Sequence, residues 1–467
     1  MGESIFSLKK NLFFFLTLLL IGFLGIASGT PLDDYVAMQD GYYSWQLIDR
    51  VEGKNSTLYL LFLNSQKWRT ESELDQPLWT HWLTIAVPHT INSKTALFYI
   101  NGGRRENTSE IFSGCLVDRL ADVAGSVICE LSMVPNQCIK FPDEFDPRYV
   151  EKGRQEDALI AYTWDKFFQT GDPFWSIRLP MTKAVVRAMD AVDDFCTLIS
   201  GESVEGYILI GASKRGWTAW TTAAVDNRVR GIIPIVFDAL NFNQCLINHY
   251  KAYGGWSSAV HDYIDMQITE KTNTPEFKAL MAFEEPYAYL DRFTMPKFVI
   301  NSAGDEFFLP DSSATYFHDL PGEKYLRYIP NTNHYLQDSD CLYSVVSFAK
   351  GLLEKKKFPQ FTWEKRRNET LCVKTLDKPM KVILWKAKNT RARDFRFSMI
   401  GNAWESDYLF ESDEEEGCYI VKLKKPKEGW AAYFIELTFD SGLFFFPYKF
   451  TTDVFVVPDL FPYTYPE

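Results

Sequence analysis

Histidine is scarce in this chain, with six residues in 467: His81, His89, His249, His261, His318 and His334. No C-x-x-C pair and no cysteine–histidine spacing of the zinc-binding kind occurs. The sequence therefore points to no metal and to no bound cofactor. Positive charge is also in short supply, since the formal net charge is −12. A protein that lives on polyanions needs a basic surface, so nucleic acid and anionic membranes are excluded as main partners. After Ile26 no apolar run approaches the roughly 20 residues that cross a bilayer. Low-hydrophobicity disorder is excluded in turn, because 46% of residues are hydrophobic and 16% aromatic. That content, in a chain of this length, supports one large domain and a smaller one.

The one long apolar run lies at the start. Lys9 and Lys10 precede Leu12 to Ile26, and Ala27-Ser28-Gly29 follows with the small residues a signal peptidase reads. Residues 1–29 are expected to be a signal peptide, with Thr30 as the mature N-terminus and secretion to the extracellular space as the destination. Cleavage removes one acid and two bases (Glu3, Lys9 and Lys10) and takes the charge from −12 to −13. In an oxidising compartment some of the eight cysteines, at 115, 129, 138, 196, 245, 341, 372 and 418, should pair. Spacing alone does not assign the pairs. Asn55, Asn107 and Asn368 head glycosylation sequons, which is permissive and no more. The acidic run from Glu411 to Glu416 reads as a solvated loop.

Taken in order, the chain changes pattern three times. Tyr42 to Ile48, Thr57 to Leu63 and Trp79 to Pro88 read as antiparallel strands at one sheet edge. From Ala96 onward, wholly apolar strands alternate with helices: Ala96–Ile100, Val127–Met133, a helix from Glu156, a helix from Pro180 to Ile199, Tyr207–Ile210, Val229–Phe237, Phe298–Ile300, Tyr325–Ile329 and a closing helix from Val345. In the long helix Val185, Met189, Val192, Cys196 and Ile199 recur at helical spacing and mark a core face. Buried strands alternating with helices indicate a mostly parallel sheet covered on both sides. Residues 241–294 interrupt the alternation and are expected to be helical, either as a cap over the strand ends or as extra scaffold. Past Pro359 the helical pattern stops. Short strands, including one expected at Phe395–Met399, suggest a small β-sandwich-like domain over 358–467. Cys372 and Cys418 are its only cysteines and are candidates to pair with each other.

One stretch carries chemistry. Tyr207 to Ile210 is a strand, Gly211-Ala-Ser-Lys-Arg-Gly216 a small-residue corner, and Trp217 to Ala224 a helix. This arrangement lifts a serine hydroxyl above an α/β sheet. It departs from G-x-S-x-G in placing the second glycine one residue late, with Arg215 in between. An ordinary β-to-α turn would look similar. The decisive point is the order of possible partners. Asp305 follows the 298–300 strand, 92 residues after Ser213, and His334 follows the 325–329 strand 29 residues later. A nucleophile, an acid and a base in that order, each at a strand's C-terminal end, form the set an acyl-transfer site requires. Ser213 would attack a carbonyl, His334 would carry the proton, and Asp305 would orient the imidazole. The N–H of Lys214 and one from the loop at Gly103 and Arg104 are the candidate oxyanion donors. The Lys214 ammonium is a further candidate source of positive charge there. Trp217, Trp256 and the aromatic 241–294 segment are candidates to line an apolar site, although aromatic residues are more often core.

Several stretches resemble one family. Glu156-Asp-Ala-Leu-Ile-Ala-Tyr-Thr-Trp164, Pro180-Met-Thr-Lys-Ala-Val-Val-Arg-Ala-Met-Asp190, Gly211-Ala-Ser-Lys-Arg-Gly-Trp217, Pro296-Lys-Phe-Val-Ile300 and Gly304-Asp-Glu-Phe-Phe-Leu-Pro-Asp311 are similar to the PhoPQ-activated pathogenicity-related proteins. The resemblance runs over nearly the whole expected mature chain. The start, Thr30-Pro-Leu-Asp-Asp-Tyr-Val36, resembles an amoebal branch. The family implies an α/β-hydrolase fold, distantly similar to prolyl-oligopeptidase-type peptidases. The amoebal branch implies a secreted signal that slows proliferation and repels cells. Two readings follow: a secreted serine hydrolase acting on a peptide or ester substrate, and an extracellular signal that uses the hydrolase body to bind a cell-surface receptor.

Overall fold

The computed structural model describes residues 29–105 and 124–466. Asn107, Cys115 and all of the expected signal peptide except Gly29 lie outside the described residues. In chain order the strands are β1 (Ser44–Glu52), β2 (Ser56–Lys67), β3 (Leu78–Pro88), β4 (Ser93–Ile100), β5 (Ser126–Leu131), β6 (Gly206–Ala212), β7 (Val229–Ile235), β8 (Lys297–Ser302) and β9 (Lys324–Ile329). They form one sheet in the order β1-β2-β3-β5-β4-β6-β7-β8-β9. The β1–β2, β2–β3 and β3–β5 pairs are antiparallel; every pair from β5 through β4 to β9 is parallel. The antiparallel edge expected from the first hundred residues is present.

Alternation along the central strands builds two cores. Phe98, Ile100 and Leu209 face one side, with Leu159, Met189 and Trp220. Leu97, Ile208 and Ile210 face the other, with Val345, Phe348 and Ala349. This is the reason the strands read as unbroken apolar runs: both faces are covered. The helices among the described residues are α1 (Pro31–Ala37), α2 (Glu156–Thr170), α3 (Arg178–Ser200), α4 (Lys214–Val225), α5 (Phe242–Tyr253), α6 (His261–Asp265), α7 (Pro275–Glu284), α8 (Cys341–Leu353) and α9 (Phe397–Ile400). Helix α3 begins two residues before the expected Pro180, and Val185, Met189, Val192 and Cys196 are buried as their spacing predicts. Ile199 is an exception, exposed in the last turn of the helix.

From Phe361 the chain is almost entirely β. It contains β10 (Phe361–Arg366), β11 (Thr370–Thr375), β12 (Lys381–Asn389), β13 (Glu405–Tyr408), β14 (Cys418–Lys422), β15 (Trp430–Phe439), β16 (Tyr448–Thr451) and β17 (Phe455–Val457). These strands form a three-stranded sheet, β10-β11-β14, and a five-stranded one built around β12 and β15. The β-rich region packs against the edge of the main sheet. The Tyr328 N–H donates to Thr451 Oγ1 (2.9 Å), and the Phe450 ring lies 5.3 Å from Phe298 and 4.4 Å from Tyr325.

Two expectations need correction here. Phe395–Met399 is not a strand. The Asp394 carboxylate accepts from the Arg396 N–H (3.1 Å) and the Arg396 guanidinium, which turns the chain, and one helical turn, α9, follows. Cys372 and Cys418 are both free thiols in this structure. They are diagonal neighbours on paired strands, Cys372 standing opposite Ile420 and Cys418 opposite Lys374. Their sulfurs and the Glu415 carboxylate lie within 4.8 Å of one another.

Candidate active site

Ser213 sits between β6 and α4 with φ 56° and ψ −124°. For a residue with a Cβ such a backbone costs about 1–3 kcal/mol and persists only where the surroundings enforce it. The enforcing contacts are local. The Ser213 N–H donates to the Ile235 carbonyl on β7 (2.7 Å), and the Ser213 carbonyl accepts from Trp217 N–H (3.0 Å). A Cβ on Gly211 would lie 2.4 Å from the Arg215 carbonyl oxygen, so only glycine allows the corner to close. Gly216 is equally close-packed, its would-be Cβ 3.1 Å from the Gly211 oxygen and 3.2 Å from Phe237 Cβ. The late second glycine thus has a packing role. Arg215 is accommodated because its side chain leaves the corner. Its guanidinium donates to both Glu156 carboxylate oxygens (2.7 and 2.6 Å) and to the Val134 carbonyl (2.6 Å).

The three residues proposed from sequence come together. His334 Nε2 is 3.0 Å from Ser213 Oγ, and His334 Nδ1 is 2.7 Å from Asp305 Oδ2. His334 and Asp305 are both buried, which shelters their hydrogen bond from water. The Phe307 N–H donates to Asp305 Oδ1 (2.7 Å), and the Glu306 carboxylate accepts from the His334 N–H (3.1 Å). The Phe307 ring packs 4.5 Å from the imidazole. The acid and base loops are also tied to the β-rich region. The Phe397 N–H donates to the Gly304 carbonyl (2.8 Å). Asn331 and Trp404 exchange two hydrogen bonds, at 2.9 and 3.0 Å. The Arg393 guanidinium pairs with Asp311. Beneath the site the Asp238 carboxyl accepts from the Tyr316 and Tyr328 hydroxyls. Burial pushes it up to about 8.

The candidate oxyanion donors stand at neighbouring strand ends. Lys214 is the first residue of α4, where an N–H has no partner within the helix. Gly103 and Arg104 are exposed in the loop after β4, whose Ile100 pairs with Gly211 of β6. Gly103 has φ +111°, open to glycine and strained for other residues. The Lys214 ammonium is turned elsewhere, against Glu156 (2.9 Å) and Asp157 (3.1 Å). Two carboxylates neutralise it, which overturns the expectation that it adds free positive charge near the reacting oxygen. Burial pushes the Glu156 carboxyl up, but the Arg215 guanidinium and the Lys214 ammonium outweigh it and hold that carboxyl well below the usual range.

A cavity opens beside Ser213. Trp164, Trp217, Phe237, Phe242, Trp256, Tyr263 and Phe308 wall it, so Trp217 and Trp256 do line the site. Asp157, Arg178 and Lys214 supply its charged wall. Sequence reasoning assigned no role to Glu156, Asp157, Arg178 or Glu306. Glu156 and Asp157 open a helix, where acids are expected for the helix dipole alone. Arg178 precedes Pro180 and carried no signal. Glu306 stands next to Asp305 in sequence, and nothing in that spacing marks it as the acceptor of the His334 N–H.

A largely parallel sheet flanked by helices on both faces, with a strained serine on a strand-to-helix corner and a hydrogen-bonded histidine and aspartate at later strand ends, is an α/β-hydrolase arrangement. Within that class, the chain belongs to the PhoPQ-activated pathogenicity-related protein family, whose profile matches residues 32–396. It is 37% identical over 477 aligned residues to autocrine proliferation repressor protein A of Dictyostelium discoideum, covering 96% of this chain and 94% of that one. Among solved structures it is similar to acetyl xylan esterase 1 from Thermoanaerobacterium sp. JW/SL YS485, with TM-score 0.46 and 12% identity, covering 69% of this chain and 93% of the other. It is also similar to a glucuronoyl esterase from Solibacter usitatus, with TM-score 0.40 and 14% identity, covering 69% and 90%.

Proposed function

We propose that this protein is a secreted serine hydrolase that cleaves an ester or peptide bond through Ser213, His334 and Asp305. The observation that carries the reading is the continuous chain from Asp305 Oδ2 through the imidazole to Ser213 Oγ, at 2.7 and 3.0 Å. In this mechanism His334 Nε2 takes the Ser213 proton as Oγ attacks the carbonyl carbon. Asp305 keeps the other ring nitrogen protonated and stabilises the imidazolium. The negative oxygen of the tetrahedral intermediate is held by the N–H groups of Lys214 and of Gly103 or Arg104. The imidazolium then protonates the leaving alcohol or amine, and water repeats the sequence on the acyl-enzyme. Residues 241–294 supply much of the cavity wall and act as a cap that encloses the substrate beside Ser213. The test is labelling of the purified mature protein with a fluorophosphonate, with Ser213→Ala as control. Labelling confined to Ser213 is expected, and an unlabelled wild type would remove the hydrolase reading.

The 37% identity to an autocrine proliferation repressor supports a second reading, an extracellular signal that slows proliferation; we propose with it that such a signal would repel cells and engage a cell-surface receptor. The two readings separate when wild type and Ser213→Ala are applied to growing cells. Repression by the wild type alone makes catalysis the signal; repression by both makes the body a ligand. Secretion predicts Thr30 as the N-terminus of protein recovered from medium. It also exposes the sequons at Asn55 and Asn368 to glycosylation, and both residues lie at the surface.

A further inference from the structure

Four buried arginines among the described residues invite comparison. Arg154 pairs with Glu144, Arg327 with Asp340 and Arg393 with Asp311, each within ion-pair distance. Arg178 is as buried, at 3% exposure, and has no carboxylate within ion-pair distance among the described residues. Its Nη1 makes a long bond to the Lys214 carbonyl (3.3 Å), and its Nε has no partner. The guanidinium carbon lies over the Trp217 ring, 3.7 Å from its centre. Burying an unpaired guanidinium is costly, and the cost is normally removed by a partner carboxylate.

The position of this unpaired charge is informative. Arg178 lines the same cavity as Ser213, among Trp217, Phe242 and Phe308. Two of the acids nearby are already committed. Lys214 neutralises Asp157 and Glu156, and Tyr263 donates to Asp157 (3.0 Å). Glu284 is close enough to feel the Arg178 charge; its Oε1 is taken by the Trp164 indole N–H (2.9 Å) and the Ser176 hydroxyl, while its Oε2 has no partner, yet no Glu284–Arg178 contact falls within ion-pair distance among the described residues. The cavity is therefore an aromatic-walled slot next to the nucleophile, with one guanidinium over Trp217 that has no carboxylate at ion-pair distance among the described residues and a free Nε donor. A guanidinium in that state fits a planar carboxylate, which it can grip with two parallel N–H donors.

Building on the hydrolase reading, we propose that Arg178 is a specificity-determining residue. The substrate group that enters this cavity is apolar along its length and ends in a carboxylate that Arg178 binds. Trp217 fixes the guanidinium plane, and the aromatic walls hold the hydrocarbon part. Arg178 touches neither Ser213 Oγ nor the imidazole, so it selects the substrate without taking part in proton transfer.

The experiment compares charged and neutral esters on the same enzyme. On the acyl side the pair is mono-p-nitrophenyl adipate and p-nitrophenyl hexanoate; on the alcohol side it is 4-acetoxybenzoate and its methyl ester. The ratio of kcat/KM, charged over neutral, is measured for wild type, Arg178→Gln and Arg178→Lys. For one of the two pairs the ratio should fall about tenfold or more in Arg178→Gln and partly recover in Arg178→Lys, because a lysine keeps the charge and loses the fork. Should Arg178→Gln fail to fold, the drop from wild type to Arg178→Lys carries the test. Ratios that stay within twofold in variants that label at Ser213 like the wild type would overturn the proposal and leave Arg178 a structural partner of Glu284. A wild type that neither labels nor cleaves any of the four esters would overturn the hydrolase reading instead.

Discussion

The nucleophile and its two partners are held by different kinds of structure. Ser213 is fixed by its immediate neighbours: Gly211 beneath Arg215, Gly216 against Phe237, and one hydrogen bond to the adjoining strand. Asp305 and His334 are fixed from far along the chain. Phe397 holds the carbonyl of Gly304, Trp404 holds Asn331, and Arg393 holds Asp311, all from the β-rich region. The region beyond Phe361 therefore shapes one half of the site and leaves the other half to the sheet. A nucleophile built from a strained turn needs rigid local packing. A base that must accept and return a proton needs its loop set at a fixed distance from a strand it does not belong to.

The largest effect should come from the acid, since it sets the value of the remotely held half. Asp305→Asn is expected to lower kcat/KM by roughly 10³–10⁴-fold through loss of the correct tautomer, with the fold intact. A loss below tenfold would mean that Asp305 is not the orienting group. Next comes the locally held half. Gly211→Ala places a Cβ 2.4 Å from the Arg215 oxygen, so the corner must shift. A displacement of about 1 Å at a reacting group costs about 100-fold. The matching change on the remote side is Asn331→Ala, which removes both bonds to Trp404. About tenfold in kcat/KM is expected, together with about 1–2 kcal/mol of stability. If Asn331→Ala left kcat/KM untouched while lowering stability, the β-rich region would be attached to the site without shaping it. The contrast between the halves would then fail.

The same contrast explains what could be read from the sequence. Strand runs, the small-residue corner and the order of Ser213, Asp305 and His334 depend on neighbours in sequence or on strand ends, and each left a pattern. Ile199 keeps the helical spacing and is nonetheless exposed, because periodicity does not say how well the last turn of a helix is covered. The pairing of Lys214 with Glu156 and Asp157, the unpaired Arg178 and the ties from Phe397 and Trp404 join residues that are up to a hundred positions apart, and no spacing rule announces them. Phe395–Met399 shows the mechanism of a miss. Its alternation of apolar and polar residues suits a strand, but the Asp394–Arg396 bonds and the Gly304 carbonyl claim its backbone first.

The weakest tie is the one that reports on the attachment alone. His318 Nε2 meets Asp453 of the β-rich region at 2.6 Å, and the same carboxylate accepts from Ser313 Oγ (2.9 Å) and the Trp363 indole (3.0 Å). The hydrogen bond to Asp453 raises the His318 pKa, with burial and Lys324 opposing and Asp319 assisting. A histidine whose folded value is raised stabilises fully below its unfolded value near 6.5, and that contribution is lost as pH rises through the folded value. The His318 side chain is 56% exposed, so solvent screening limits the contribution to about 0.5 kcal/mol or less. Thermal unfolding of wild type and His318→Gln should therefore differ more at pH 5.5 than at pH 8.5, with the wild type the more stable at the lower pH. Kinetics on a neutral ester should match at both pH values, because His318 meets neither the acid loop nor the base loop. A change in kcat/KM in His318→Gln would show that Asp453 transmits to the site. The β-rich region would then act on the base half through its core contacts as well as through Phe397 and Trp404.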